Sequence, residues 1–162
     1  MRKRTYLQYL KELAMPNKEG VLYHGDALQN MRLMRVRPAH GVFPEVRKKL
    51  KKDKVIFATP QKPYAACYGW EWNDEMDRVP PNFDIFYDDK GVWNFGISKK
   101  WERILYDPMS IYILPYKGFE EITDLGKIKE WVIYDDVEVI SEERYDTWLD
   151  AMKNNGVVVK LT

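Results

Sequence analysis

Ile128-Lys129-Glu130-Trp131-Val132-Ile133-Tyr134 has the composition of a β-strand: β-branched and aromatic side chains dominate, and neither Gly nor Pro interrupts it. Strand alternation sends Glu130 to the same face as Ile128, Val132 and Tyr134. A carboxylate on an otherwise apolar face is costly to bury unless something pairs with it or uses it. At a sheet edge the same charge would face water and blunt the edge against association. Which of the two holds depends on what else the chain carries.

The 162 residues fit one domain, 1–162, with a core of useful size. With 26 basic and 25 acidic residues the net charge is +1, unlike the clear basic excess of a dedicated nucleic-acid binder. One cysteine, Cys67, excludes an intrachain disulfide and fits a reducing, cytoplasmic setting. No apolar run reaches membrane-spanning length, and no apolar segment follows the basic N-terminus as a signal peptide would require. Aromatics reach 14%, more than a small core needs, so some are expected to line a pocket.

Outward from Glu130, residues 2–14 predict an amphipathic helix with Tyr6, Leu7, Leu10 and Leu13 on its apolar stripe. Val21–His24 predicts a short strand stopped by Gly25-Asp26, then a helix or turn over 28–34 and an extended 34–37 before a turn marked by Pro38 and Gly41. Residues 45–54 form a basic helix or loop, solvated or, over Lys48–Lys54, a weak nucleic-acid contact. Val55–Ala58 is a buried strand, and 63–68 a helix with proline in its first turn. Trp70–Asn82 is an acidic surface excursion. Asp88-Asp89-Lys90-Gly91 joins Phe83–Tyr87 to Val92–Ile97 as a hairpin. Met109–Leu114 is a further strand, and Val137–Ile140 after Asp135-Asp136 either continues the 129–134 strand past a bulge or is a second strand joined to it by a turn. Ser141 is expected to cap a helix over 142–153 that ends at Asn155-Gly156, before a last strand over 157–161. This order has no βαβ rhythm and predicts an α+β fold with largely antiparallel sheets.

Most familiar chemistries lack their signals. Two histidines and one cysteine, with neither HExxH nor paired CxxC, predict no metal site. GxxxxGK[ST], GxGxxG and GxSxG are absent. Cys67, among aromatics on a helix, reads as a small inert hydrophobe. Three features remain. His24 ends a strand before a glycine, where a ligand can approach bare backbone, or is a hydrogen-bonded structural histidine. Tyr64 and Tyr68 share a helix face at i, i+4, for a ligand or for core packing. Glu130 is the third.

In chain order these segments resemble the ADP-ribosyltransferase superfamily, most closely its poly(ADP-ribose) polymerase-like, His-Tyr-Glu branch. Leu22-Tyr23-His24-Gly25-Asp26 resembles the family strand ending His-Gly-Ser/Thr. Met34-Arg35-Val36-Arg37-Pro38 resembles Leu-Arg-Ile-x-Pro. Val55-Ile56-Phe57-Ala58-Thr59, continuing to Ala65-Ala66-Cys67-Tyr68, resembles Gly-Ile-Tyr-Phe-Ala-Asp and the Ser-Ala-x-Tyr helix, and Glu130-Trp131-Val132-Ile133-Tyr134 resembles Glu-Tyr-Ile-Val-Tyr. The chain departs from the pattern at Ile56, where the family has tyrosine, at the missing serine before Ala-x-Tyr, near Tyr64, and at Lys54-Val55, where the family has glycine.

The resemblance implies split antiparallel sheets with a few flanking helices, and NAD as co-substrate. His24 would hydrogen-bond an NAD ribose hydroxyl, the Gly25 backbone would hold the nicotinamide carboxamide, Tyr68 would stack on the ring, and Tyr64 would be a further NAD-binding residue. Arg35 would contact the adenosine or phosphate side. Glu130 would stabilise the cationic sugar as the nicotinamide bond breaks, in the manner of a carboxylate beside an oxocarbenium-like centre. The implied activity is transfer of a single ADP-ribose to an acceptor that is a protein, a nucleic acid or a small molecule. The alternatives are a weak or inactive NAD- or ADP-ribose-binding module, and an interaction protein reusing the fold with Trp70–Tyr87 as its surface.

Overall fold

The computed structural model describes residues 20–39, 44–122 and 130–162; the helix expected over 2–14, together with His40, Gly41, Ile128 and Lys129, lies outside the described residues. The strands are β1 (Val21–Asp26), β2 (Leu33–Met34), β3 (Arg37–Pro38), β4 (Lys54–Ala58), β5 (Asp84–Tyr87) and β6 (Trp93–Ile97). They continue with β7 (Met109–Pro115), β8 (Glu120–Glu121), β9 (Trp131–Ile133), β10 (Val137–Glu138), β11 (Ser141–Tyr145) and β12 (Val158–Leu161). The helices are α1 (Pro44–Lys49), α2 (Lys62–Ala66), α3 (Asp74–Arg78) and α4 (Trp148–Asn154), and Lys99–Tyr106 is a 3-10 helix. The chain is α+β, with short strands in mostly antiparallel sheets and few helices. Among the described residues no helix is long and apolar enough to cross a membrane.

The described residues divide into two compact units: those within Met1–His24, Met31–Gln61 and Ile113–Ser141, and those within Gly25–Asn30, Lys62–Tyr112 and Glu142–Thr162. A sheet of order β1-β7-β11 contains the strands along which the chain passes from one unit to the other. The first unit is built on a sheet of order β3-β4-β9-β8. Ile56 pairs with Ile133, Phe57 with Val132 and Ala58 with Trp131. The β-branched run Val55-Ile56 suits this central position, and Val55, Ile56, Val132 and Leu22 are buried. β10 pairs with β2 through Val137–Met34 and Glu138–Leu33.

The second unit holds the sheet β12-β6-β5. The expected hairpin joins β5 to β6 antiparallel, with Gly91 at φ +83° in the turn, while β12 runs parallel to β6. Against it lies an aromatic cluster: Trp148 contacts Phe95 (ring centroids 5.0 Å apart), Trp70 (5.6 Å) and Phe83 (6.0 Å). Trp148 is fully buried, and its Nε1–H donates to the Ala66 carbonyl at 2.8 Å, giving the polar end of the indole the partner that burial demands.

Several local expectations are overturned. β1 continues through Gly25 and Asp26. Residues 28–34 are not helical: Asp26 Oδ1 accepts from the Leu28 N–H at 2.9 Å, Asn30 takes φ +68°, and Leu33–Met34 pairs as a strand. Pro38 lies in edge strand β3, where a missing N–H is tolerated, instead of marking a turn. The expected strand over 128–134 is confined, among described residues, to Trp131–Ile133. Trp70–Asn82 is more than a surface excursion, since Asn73 caps α3 and Met76 on that helix is buried. Ser141 does not begin a helix. Ser141–Tyr145 is β11, and the helix starts later, where the Thr147 side chain accepts from the Asp150 N–H at 3.0 Å. Asn155 and Gly156, at φ +77°, end it as expected.

Candidate functional site

His24 and Glu130 belong to the first unit and flank the same segment of β4. Tyr23 and Thr59 exchange both backbone hydrogen bonds, Tyr23 N–H to Thr59 O at 2.8 Å and Thr59 N–H to Tyr23 O at 2.9 Å. One residue earlier on β4, Ala58 pairs with Trp131 of β9 across the other strand edge. Glu130 immediately precedes Trp131, so the backbones of His24 and Glu130 stand two strand spacings apart, about 10 Å.

In a regular ladder the next bonded pair after Tyr23–Thr59 would engage the Phe57 carbonyl through a backbone N–H. Here the His24 ring takes that place, with Nδ1 2.6 Å from the Phe57 oxygen. A carbonyl only accepts, so Nδ1 carries a proton and is the donor. Glu130 is half-buried, and its own carbonyl accepts from the Ile122 N–H at 2.9 Å. Arg35 is exposed between β2 and β3.

Gly25, Tyr64 and Tyr68 lie in the second unit, and the structure brings them together. A Cβ on Gly25 would sit 1.9 Å from the Ala65 carbonyl oxygen and 3.2 Å from that of Tyr68. Glycine is therefore required here by the approach of α2, independently of any ligand. The Tyr64 and Tyr68 hydroxyls share a hydrogen bond and their rings meet edge to face at 5.0 Å. Tyr68 also stacks on Trp70 at 5.3 Å, so one of its faces already has an aromatic partner. Cys67, on the same turn, is fully buried. Burial pushes its thiol up to about 12, and its Sγ–H points to the Pro63 carbonyl. Its enclosure is that of a small core hydrophobe.

A polar cluster in the second unit has no counterpart in the sequence reading. The Glu142 carboxylate accepts from Ser110 Oγ at 2.6 Å and from the Asn30 N–H at 2.9 Å. Burial pushes its carboxyl up, but hydrogen bonds from Ser110, the Asn30 backbone, Tyr112 and Arg144 outweigh this and hold it below its ordinary value. Beside it in sequence, Glu143 accepts from Lys62 Nζ at 2.6 Å and from the Tyr145 hydroxyl at 3.1 Å. No local signal announces either group, because the partners are 32 and 81 positions away. Among the described residues no group of three or more His, Cys, Asp or Glu side chains could hold a metal ion. Compared with protein-family models, curated proteins and solved structures, the chain matches none.

Proposed function

We propose that this chain is an NAD-dependent mono-ADP-ribosyltransferase with the split-sheet fold of that superfamily. The observation that carries the reading is the bond that holds the His24 ring on the Phe57 carbonyl. With Nδ1 donating to the Phe57 carbonyl, the imidazole is held on β4, and it takes the role of positioning a ribose hydroxyl of NAD. Glu130, on the opposite flank of β4, takes the role of electrostatic stabiliser. As the nicotinamide–ribose bond breaks, positive charge develops on the sugar, and a fixed carboxylate lowers the energy of that charged state more than of the bound substrate. The resemblance assigns Gly25, Tyr64 and Tyr68 to the nicotinamide end of NAD and Arg35 to its phosphate or adenosine end.

The second reading is a module that binds NAD or ADP-ribose without turnover. Ile56, buried at 3% exposure opposite Ile133, favours it, because the family's tyrosine at this position is replaced by a core side chain. Trp70 on one face of Tyr68 favours it as well.

Release of labelled nicotinamide from NAD separates the two. The enzyme reading expects release that falls on the order of 100- to 1000-fold in Glu130→Gln, while NAD binding by calorimetry is retained. Binding without release supports the module. Release unchanged by Glu130→Gln removes Glu130 from the mechanism, and no heat with either NAD or ADP-ribose sinks both readings.

A further inference from the structure

The near-neutral total hides a segregated charge. Residues 31–54 contain nine of the 26 cationic side chains and two of the 25 acids, a net +7, while the other 17 cations and 23 acids leave the rest of the chain at −6. The nine are Arg32, Arg35, Arg37, Arg47, Lys48, Lys49, Lys51, Lys52 and Lys54, and every one is exposed. All belong to the first unit.

The fold gathers them. β3 pairs with β4 through Arg37–Val55 and Pro38–Lys54, joining the 35–38 cations to the end of the lysine run. The last turn of α1 carries Arg47, Lys48 and Lys49, and Arg47 Nη2 donates to the Ala39 carbonyl at 3.0 Å, tying the helix to the segment after β3. Arg47, Lys51 and Lys52 line one shallow pocket with Leu50 and Asp53. Lys51 reaches Glu120 at 3.1 Å, but the two side chains are 68% and 46% exposed, and such surface pairs offset little of the field. Like charges held this close repel one another, so a structure that concentrates them is served by a polyanion.

We propose that this face binds the phosphate backbone of a nucleic acid. Phosphate contacts need exposed Lys and Arg and no apolar anchor. A lipid surface would call for apolar side chains to insert beside the cations. Among the described residues of this segment Val46 is buried and Leu50 half-buried, and Leu33, 43% exposed, is the one large apolar side chain left to solvent, too little to anchor a lipid surface.

Fluorescence anisotropy with labelled single-stranded DNA, duplex DNA and RNA oligonucleotides tests this. If about five of the nine cations meet phosphates, the log–log salt slope is about −4.5, and raising salt from about 50 to 200 mM weakens binding roughly 500-fold. The variant Lys48→Gln/Lys49→Gln/Lys52→Gln/Lys54→Gln removes exposed charges only, and should reduce the slope by about 3 and weaken low-salt binding at least ~50-fold. The matched variant Lys90→Gln/Lys99→Gln/Lys153→Gln/Lys160→Gln removes the same net charge from exposed positions of the other unit and should bind as the wild type does. Equal loss in both variants, no oligonucleotide binding at low salt, or binding to phosphatidylglycerol vesicles with none to oligonucleotides would each overturn the proposal. The outcome is independent of whether NAD is cleaved.

Discussion

Replacing Gly25 with alanine would put a methyl carbon 1.9 Å from the Ala65 carbonyl oxygen and 3.2 Å from that of Tyr68. Non-bonded heavy atoms find their optimum near about 3.5 Å, so the first contact overlaps by more than about 1 Å. No rotamer change relieves it, because both neighbours are backbone. They are also held in place: the Tyr68 N–H donates to the Ala65 carbonyl at 3.1 Å, and the adjacent Ala66 carbonyl accepts from Trp148 at 2.8 Å. Overpacking costs about 1–3 kcal/mol, and weakening one or two hydrogen bonds adds about 1 kcal/mol each, for an expected loss of about 2–5 kcal/mol. For a chain of this length that lowers Tm by about 10 °C. Gly156→Ala is the internal reference: its φ is +77° with nothing within 4 Å, so only backbone strain of about 1 kcal/mol applies. Urea unfolding followed by tryptophan fluorescence measures both. If Gly25→Ala costs no more than Gly156→Ala, the close approach of β1 to α2 is wrong, and with it the placement of Gly25 beside the tyrosine pair.

Cys67, with its thiol pushed up to about 12 by burial from an ordinary value of 9.0, should react with iodoacetamide about 1000-fold more slowly in the native chain than in urea; equal rates would show the thiol is not enclosed. Glu142 has its folded value held below the ordinary 4.5, so it contributes stability that is present above that value and lost as pH falls through the folded one. Glu142→Gln should therefore cost stability at neutral pH and approach the wild type in acid. A difference that does not shrink on acidification would refute the charged network around Ser110 and Asn30.

The elements that local chemistry settles were legible in the chain. The Asp88–Gly91 turn, the β-branched strand Val55–Ala58 and the Asn155-Gly156 helix end follow from residue types at short range. The misreading at Ser141 has a physical cause. Ser-Glu-Glu before an apolar run satisfies helix-start preferences, but a Glu142 carboxylate with two donors supplied by distant backbone and serine is better served in β11. Tertiary hydrogen bonds outweigh a cap worth about 1 kcal/mol. The 3-10 helix at Lys99–Tyr106 escaped for a similar reason: Trp101, Ile104 and Leu105 are buried, so packing against the core supports a short helix that carries no cap signal of its own. At the candidate site, the identities of His24, Gly25, Tyr64, Tyr68 and Glu130 could be read in advance. The bond from His24 to Phe57, across 33 residues, could not.

That bond changes how much each residue weighs in the functional argument. The His-Gly pair is the most distinctive part of the resemblance, yet both residues have sufficient structural reasons. The imidazole occupies the carbonyl that the β4 ladder would otherwise offer to backbone, and Gly25 is the residue type that admits the Ala65 carbonyl. A scaffold with no activity would keep both. The bond also fixes the orientation of the ring, so the contact that latches the strand is the one a catalytic histidine would need. The structure uses and the catalytic use of His24 therefore predict the same residue, and substituting it cannot tell them apart. Glu130 is different. It stands just outside β9, where its backbone carbonyl serves the Ile122 N–H, and any residue would supply that carbonyl. Glu130→Gln keeps that carbonyl and removes the charge that would stabilise the ribose as nicotinamide departs. The discriminating weight falls on Glu130→Gln, with binding and turnover measured separately.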